Sequence, residues 1–487
     1  MSEYDLVVIG GGTAGLVAAA GGASLGAKVA IIEKDKLGGE CLYYGCVPTK
    51  AFVKSAKVAS LMRRAPEFGI NEVPVEVDFP AVMRRMRNVI AKAGEADSPD
   101  RFRSLGVEVF LGDSARFEEP QEVSVNGARL RARSVVLASG SYAKPPPIDG
   151  LEQVGYVDHV SVLELENLPS SMIVVGSGPI GSEFSQIFAR FGCRVELISS
   201  SPDPLAKEDP ELSAALRGFL EEDGVRVHGN VRAQAARLEN GEKVVTAKNK
   251  QTGEEFEVRG EEILVAAGRA PSVGGLNLEG VGIALGDNGV KVDEYLETTA
   301  ENVYASGDVT GKLLFTHAAE HQSRTALSNA LFPIKRKVDY DAFPWTTFTD
   351  PEVARVGLTE QQAREQHDDI KVFRFPFEDL DRAICDGDAE GFVKMVTDKK
   401  GGILGCHIIG PEAGNYIAEV VLAMRKNISI GGLSQTVHVY PTLSESVKKA
   451  SDSYFRERLF TERNKKILGG CFSGRRFIEN GIQKLRS

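Results

Sequence analysis

Leu6-Val7-Val8-Ile9-Gly10-Gly11-Gly12-Thr13-Ala14-Gly15 is the stretch on which the fold turns. Its first four residues are an apolar run rich in β-branched side chains, the composition of a strand covered on both faces of a parallel sheet. Small residues over 16–25 predict a helix, and 28–32 predicts a second strand that ends in Glu33. Strand, GxGxxG turn, helix and strand form the dinucleotide fingerprint in its full setting. Gly10 makes the tight turn, Gly12 lets backbone approach a pyrophosphate, and Gly15 lets helix and strand pack closely. Glu33 lies eighteen residues past Gly15, where a carboxylate accepts hydrogen bonds from a ribose.

The unit recurs about 166 residues on. Met172-Ile173-Val174-Val175 reads as a strand, Gly176-Ser177-Gly178-Pro179-Ile180-Gly181 repeats the glycine spacing with Gly176, Gly178 and Gly181, and 194–198 reads as the next strand. Counting the same eighteen residues reaches Ser199, with Ser200 and Ser201 behind it. A carboxylate there favours the 2′-hydroxyl of NAD and an arginine the 2′-phosphate of NADP. Serines supply neither, so a preference within about a hundredfold is expected. Two fingerprints imply two dinucleotides and electrons passing between them.

Between the two units, the run at 135–140 closes in Gly140 before Pro145-Pro146-Pro147, and past the second a parallel run at 263–269 closes in Gly268-Arg269. Both are expected at a sheet edge, with the prolines marking a domain crossing. Gly140 and Gly268 join the candidates for cofactor contact. Val303 to Asp308 predicts a strand ending in an acid beside glycine, suited to a polyol hydroxyl. From about residue 344, strands at 371–375, 392–397 and 403–409 and a helix near 414–426 predict a separate α+β domain.

Just past the first unit stands Gly38-Gly39-Glu40-Cys41-Leu42-Tyr43-Tyr44-Gly45-Cys46-Val47-Pro48-Thr49-Lys50. Four residues separate the cysteines, which suits one turn at a helix start and could bring the sulfurs into bonding range. A helix N-terminus and Lys50 would both favour thiolate. The chain's 487 residues suggest roughly three domains. Six cysteines are no disulfide framework, and no second CxxC-type pair offers a metal site. A net charge of −10 argues against nucleic acid. No apolar run of about 18 residues could span a bilayer. The acidic Met1-Ser2-Glu3-Tyr4-Asp5 runs straight into a strand, so no secretory signal is read and a cytoplasmic enzyme is expected.

These residues resemble the FAD-dependent pyridine nucleotide–disulfide oxidoreductases, in the branch that holds dihydrolipoamide dehydrogenase and mercuric reductase. The likeness covers roughly residues 4–460, carried by GGGTAG with Glu33, GGECLYYGCVPTK, GSGPIGSE, YASGDVTG and Tyr440-Pro441-Thr442-Leu443-Ser444-Glu445. It implies an α/β fold of two Rossmann-type domains plus a C-terminal α+β dimerisation domain. The expected division is an FAD-binding domain at 1–150 with its return segment at 276–344, an NAD(P)-binding domain at 151–275, and dimerisation at 345–460. Gly10, Gly12, Gly15 and Glu33 would bind FAD, Asp308 its ribityl chain, and the second fingerprint NADH or NADPH. Electrons would pass to a Cys41–Cys46 disulfide, with Cys46 against the flavin, giving a thiolate–flavin charge-transfer band, and Cys41 exchanging with substrate. Lys50 and Glu183 match the family's ion pair near the reactive flavin nitrogen. A homodimer is implied, with a small dithiol or disulfide, or a lipoyl group on a carrier protein, as substrate.

Three departures stand out. Dihydrolipoamide dehydrogenases carry His-Pro-Thr with a His–Glu base from the partner subunit, whereas Tyr440 stands here, with Glu445 five residues on. A phenol with pKa near ~10 is a poor acceptor beside an imidazole near ~6.5. Mercuric reductases share that tyrosine but end in Cys-Cys, and this chain has only Cys471 near its end. His438, two residues before Tyr440 on an expected strand, would share its face and could serve as base. The alternatives to a dithiol oxidoreductase are therefore a mercuric-reductase-like reductase of a metal ion, and an electron carrier docking a protein partner. The second departure is Ser199. The third is the tail, 461–487, with seven basic and two acidic side chains, a net +5 against −15 for the remainder. Ile478, Ile482 and Leu485 make a short apolar stripe weakened by Gly481. The tail is expected to lie as a strap on the acidic body of the dimer, the alternative being a dock for a protein or an anionic surface.

Overall fold

The computed structural model describes residues 3–112 and 114–486; the side chains of 481 and 483–486 lie outside what it describes, Leu485 of the expected stripe among them. The chain forms two compact units, Met1–Ala206 with Leu220–Tyr340, and Lys207–Phe219 with Asp341–Ser487.

The first unit holds a mixed sheet, parallel at its centre with Glu122–Val125 and Arg116–Glu119 added antiparallel beside Ala128–Leu137, and a second sheet that is wholly parallel. One runs in the order Glu108–Leu111, Val29–Glu33, Tyr4–Ile9 and Ala128–Leu137, with Val303–Ala305 parallel to the last of these. Leu6, Val7 and Val8 are fully buried, as a strand covered on both faces requires. The helix Thr13–Ser24 presents Leu16, Ala18 and Ala19 to a cluster that includes Ala326, Leu327 and Ala330 of the helix Thr316–Leu331. Small side chains let these helices approach each other and the sheet. The other sheet runs Val225–His228, Arg194–Ile198, Ser171–Val175, Glu262–Val265, all parallel, with an antiparallel meander of Val231–Glu239, Glu242–Asn249 and Glu255–Gly260.

The expected edge position holds for one of the two closing runs. Glu262–Val265 is an edge strand, but Ala128–Leu137 is interior, flanked by Tyr4–Ile9 and by Val303–Ala305. The reason is the return segment: a strand supplied 166 residues later covers what would otherwise be the edge at Leu137. The crossing is a two-stranded ribbon, Ser141–Ala143 against Arg269–Pro271.

The second unit is a five-stranded antiparallel sheet in the order Pro344–Thr347, Glu352–Gly357, Ile403–Gly410, Phe392–Asp398, Ile370–Pro376. The helices Ala413–Arg425 and Glu445–Leu459 contribute Ile417, Val420, Val447 and Ala450 to its core. Lys394, 2% exposed, reaches Asp209 at 3.0 Å and Glu360 at 2.8 Å, and so fastens the segment 207–219 to this sheet. The tail is a single helix, Glu462–Arg486. Its described side chains are exposed, Asn464 excepted, and those exposed include Ile467, Phe472, Ile478 and Ile482. No described side chain beyond Asn464 is packed as a strap within the protomer. Among the described residues no helix is long and apolar enough to cross a membrane.

Candidate functional site

Both fingerprints have the geometry their glycines were read for. Gly10 and Gly176 take φ of 106° and 107°, in the left-handed range that favours glycine. A Cβ on Gly15 would stand 1.8 Å from the Gly10 carbonyl oxygen, and one on Gly181 would stand 1.8 Å from that of Gly176. Around Gly12 only Gly39 Cα, at 3.9 Å, comes near, and around Gly178 nothing lies within 4 Å among the described residues. Each loop is therefore tight where helix meets strand and open where a pyrophosphate would approach.

Glu33 ends its strand with the carboxylate fixed from two sides. Gly11 N donates to Oε2 at 2.6 Å and Asp35 N to Oε1 at 2.7 Å. Asp308 accepts from Ser141 Oγ at 2.7 Å, and burial pushes its carboxyl up against the pull of Ser141 and Arg269. Ser139 Oγ, between Leu137 and Gly140, is buried with no hydrogen-bond partner among the described residues. An open glycine cradle, an anchored carboxylate, a second acid for a polyol and an orphaned hydroxyl are a donor and acceptor set that fits FAD. Gly140 and Gly268 both have positive φ; a Cβ on Gly268 would lie 2.0 Å from Lys144 O, while Gly140 stands clear.

The cysteines follow directly. Gly39 is pressed onto the first fingerprint, since a Cβ there would lie 2.5 Å from Gly12 Cα. Cys41 sits in the short helix Gly39–Tyr43 and Cys46 opens the helix Cys46–Arg63, with a positive helix end at its sulfur. Both are free thiols, Cys41 half-buried and Cys46 exposed. A hydrogen bond from the Cys41 thiol pulls Cys46 down to about 6, helped by Thr316 and the Lys50 ammonium and opposed by burial and Glu183. The same bond, with burial, pushes Cys41 up. Thr316 Oγ1 shares a 3.3 Å hydrogen bond with Cys46 Sγ, and it is the first residue of the helix Thr316–Leu331. Sequence reasoning missed Thr316; the only local sign was a threonine at a helix start.

Lys50 and Glu183 meet as expected, Nζ lying 2.9 Å from Oε2 and 3.0 Å from Oε1. Glu183 is 4% exposed. The two helices that carry the pair are locked by apolar contact, Phe52 meeting Phe191 edge-on at 6.4 Å and Phe184 fully buried. Burying a charged pair costs several kcal/mol per ion before attraction offsets it, so the pair is better explained by what it does to neighbouring charge than by stability. A second network, missed in the sequence, holds the residue before Cys41. His159 Nε2 lies 2.7 Å from Glu40 Oε1, and Arg269 Nη2 donates to Glu40 Oε2 at 2.6 Å and to Ser141 Oγ at 2.7 Å. Burial works against the Glu40 carboxylate, but these two partners hold it down to about 2.

In the second fingerprint, Ser199 is fully buried, its hydroxyl shared with Ser177 Oγ at 2.7 Å and donated to Ser201 O at 2.9 Å. Ser200 is the exposed residue of the three.

In the second unit the expected strand around His438 and Tyr440 is absent; residues 437–439 are irregular, so spacing by two does not place the side chains on one face. His438 turns to Glu419 at 3.0 Å and to Thr436 O at 3.1 Å. Tyr440 is 67% exposed and donates to Asp381 Oδ2 at 3.0 Å, and that bond raises its pKa. Glu445, nine-tenths buried, accepts from Thr442 N at 3.4 Å.

Residues 4–323 match the family model described as pyridine nucleotide-disulphide oxidoreductase, and 343–451 match the dimerisation domain of the same family. Dihydrolipoyl dehydrogenase of Thermus scotoductus is 36% identical over 465 residues, covering 94% of this chain and 99% of that one. Mercuric reductase of Bacillus cereus is 32% identical over 450 residues, 92% of this chain and 71% of that one. Among solved structures, the Cu(II) complex of the HOCl-induced flavoprotein disulfide reductase RclA from Escherichia coli superposes with a TM-score of 0.82 at 28% identity, covering 93% of this chain and 100% of that one. With both fingerprints built to one plan and a sulfur pair set beside the first, the chain belongs to the pyridine nucleotide–disulfide oxidoreductases, the FAD-containing, NAD(P)-dependent flavoprotein family.

Proposed function

We propose that the protein is a homodimeric oxidoreductase that couples NAD(P)(H) to a dithiol–disulfide substrate through Cys41 and Cys46, in the manner of a dihydrolipoamide dehydrogenase. The observation that carries this reading is the placement of the sulfurs: Cys46 opens a helix with its sulfur 3.3 Å from Thr316 Oγ1, and the hydrogen bond with Cys41 lowers Cys46 to about 6 while it pushes Cys41 up. Bound FAD and nicotinamide supply the two-electron relay. The residues govern the exchange. A substrate thiolate attacks Cys41 of the Cys41–Cys46 disulfide, the S–S bond breaks, and Cys46 leaves as thiolate. A leaving thiol of low pKa departs faster. The second substrate thiolate closes on the mixed disulfide, the substrate leaves oxidised, and Cys41 departs as thiolate and takes up a proton. Thr316 and Lys50 stabilise the charge left on Cys46.

Tyr440 does not act as base in this scheme, because its phenol is already donating and its pKa is raised. The dithiol therefore arrives ionised, and the rate of its oxidation rises with pH toward ~8.5. That same feature favours a second reading, reduction of a thiophilic metal ion, in line with relatives named mercuric reductase. The deciding experiment is steady-state turnover of the purified protein with dihydrolipoamide, glutathione disulfide, Hg(II) and Cu(II), each with both nucleotides. Dihydrolipoamide oxidation at rates within the usual enzymatic range supports the first reading; turnover with metal ions alone overturns it. A pH–rate inflection near 6.5 that vanishes in His438→Ala would return the base to His438.

A further inference from the structure

The two fingerprints correspond position for position, and that correspondence locates a site in the second. In the first, the second residue of the turn, Gly11, donates to Glu33, and the residue two past Glu33 donates to it as well. In the second, Ser177 holds the place of Gly11 and bonds Ser199 at 2.7 Å, and Ser201 N donates to Ser199 Oγ at 3.3 Å. Ser199 thus occupies the place of Glu33, with its hydroxyl turned inward and fully buried. The ribose 2′ position of a dinucleotide meets this loop. What the loop offers there is Ser200, exposed, with a cation fastened to it: Lys250 Nζ donates to Ser200 O at 2.9 Å. The cation is held in place from behind. Lys250 N donates to Asn230 O at 2.7 Å, and Asn230 N to Ser201 O at 2.8 Å, so the turn after Glu242–Asn249 and the serine loop move as one piece.

We infer that Lys250, with the Ser200–Ser201 loop, forms a subsite for the 2′-phosphate of an adenosine nucleotide, so that the chain takes NADP(H) in preference to NAD(H). A 2′-phosphate meets an ammonium and no Glu33-like carboxylate. A free 2′-hydroxyl, which such a carboxylate would bind, finds only a serine already committed to its neighbours. Lysine binds phosphate as a point charge, without the bidentate grip of arginine, so the gain is moderate and depends on salt. Sequence reasoning could not reach Lys250, which lies 50 residues from Ser200 in a meander turn. The inference rests on family membership and not on the dithiol reading, and its test needs neither substrate nor turnover.

The test is calorimetric titration of the FAD-loaded protein with adenosine 2′,5′-bisphosphate and with 5′-AMP at low salt. The bisphosphate is expected to bind at least tenfold more tightly. Lys250→Ala should remove most of that difference while leaving 5′-AMP affinity within twofold; Lys250→Arg should keep it and Lys250→Glu reverse it. If Lys250→Ala leaves bisphosphate affinity within twofold of wild type, Lys250 does not read the phosphate. Wild-type protein that binds 5′-AMP as tightly as the bisphosphate would overturn the subsite itself.

Discussion

Gly10 and Gly176 have φ values one degree apart, and Gly15 and Gly181 stand equally close to the carbonyl oxygens they face. At the end of the second strand the two fingerprints part. One presents Glu33 with both oxygens fixed by backbone N–H groups; the other buries Ser199 and leaves Ser200 beside Lys250. The backbone is thus the same in both, and they differ in the side chains that end the second strand. A further contrast follows at once. The first fingerprint is succeeded by the two cysteine-bearing helices, the first of them pressed on Gly12 at Gly39, and nothing among the described residues matches them after the second fingerprint.

The strongest challenge to the shared backbone is to fill its closest contact. Gly15→Ala and Gly181→Ala should each cost about 3 kcal/mol, the upper range for overpacking, because the opposing atom is backbone oxygen and cannot turn aside. Gly15→Ala should release flavin and Gly181→Ala should keep it while losing nucleotide affinity, read by flavin absorbance and calorimetry. Flavin loss from both would show that the units are not separable. Next in size is the side chain that distinguishes them. Glu33→Ser should weaken FAD binding by about 2 kcal/mol, the scale of a charge-assisted contact, whereas Ser199→Ala should leave flavin retention unchanged in the same dialysis assay.

A third test addresses the sulfur pair that only the first unit carries. Lys50→Met removes a positive charge that lowers Cys46, so the pH midpoint for iodoacetamide alkylation of the reduced protein should climb from about 6 by roughly one unit. An unchanged midpoint would leave the hydrogen bonds from Cys41 and Thr316 as the cause. The smallest effect belongs to Glu40. Its folded carboxyl titrates at about 2, against an unfolded value near ~4.3, so its contribution to stability is full above ~4.3 and is lost as pH falls toward 2. Unfolding free energies from urea titrations at pH 5 and pH 3 should therefore differ less in Glu40→Gln than in wild type, by about 1 kcal/mol after solvent screening.

What could be read from the sequence was what is local. Tyr4–Ile9, Val29–Glu33, Ile370–Pro376, Phe392–Asp398, Ile403–Gly410 and the helix Ala413–Arg425 follow from apolar runs and periodicity, each within a few residues of expectation. The fingerprints and the cysteine stretch were legible because their spacing is itself the chemistry. What was not legible is contact between distant segments. Arg269 meets Glu40 across 229 residues, Thr316 meets Cys46 across 270, and Asp381 accepts the Tyr440 hydrogen bond across 59. No period links such pairs. The interior place of Ala128–Leu137 was missed for the same reason, and the strand expected around His438 is absent because residues 437–439 form a loop.

The pairing of Val135, Val136 and Leu137 with Val303, Tyr304 and Ala305 also sets a timetable. As the chain leaves a ribosome, the strand ending at Leu137 emerges long before the one that covers it. At roughly 5–20 residues per second, that wait is on the order of ten seconds or more. Throughout it, three consecutive apolar residues keep an open row of peptide groups, which is the kind of surface that recruits strands from other nascent chains. The second parallel sheet is completed at Val265, within that interval, so it can close while the first still waits. Synthesis thus finishes the nucleotide sheet before the flavin sheet, although the flavin sheet begins first.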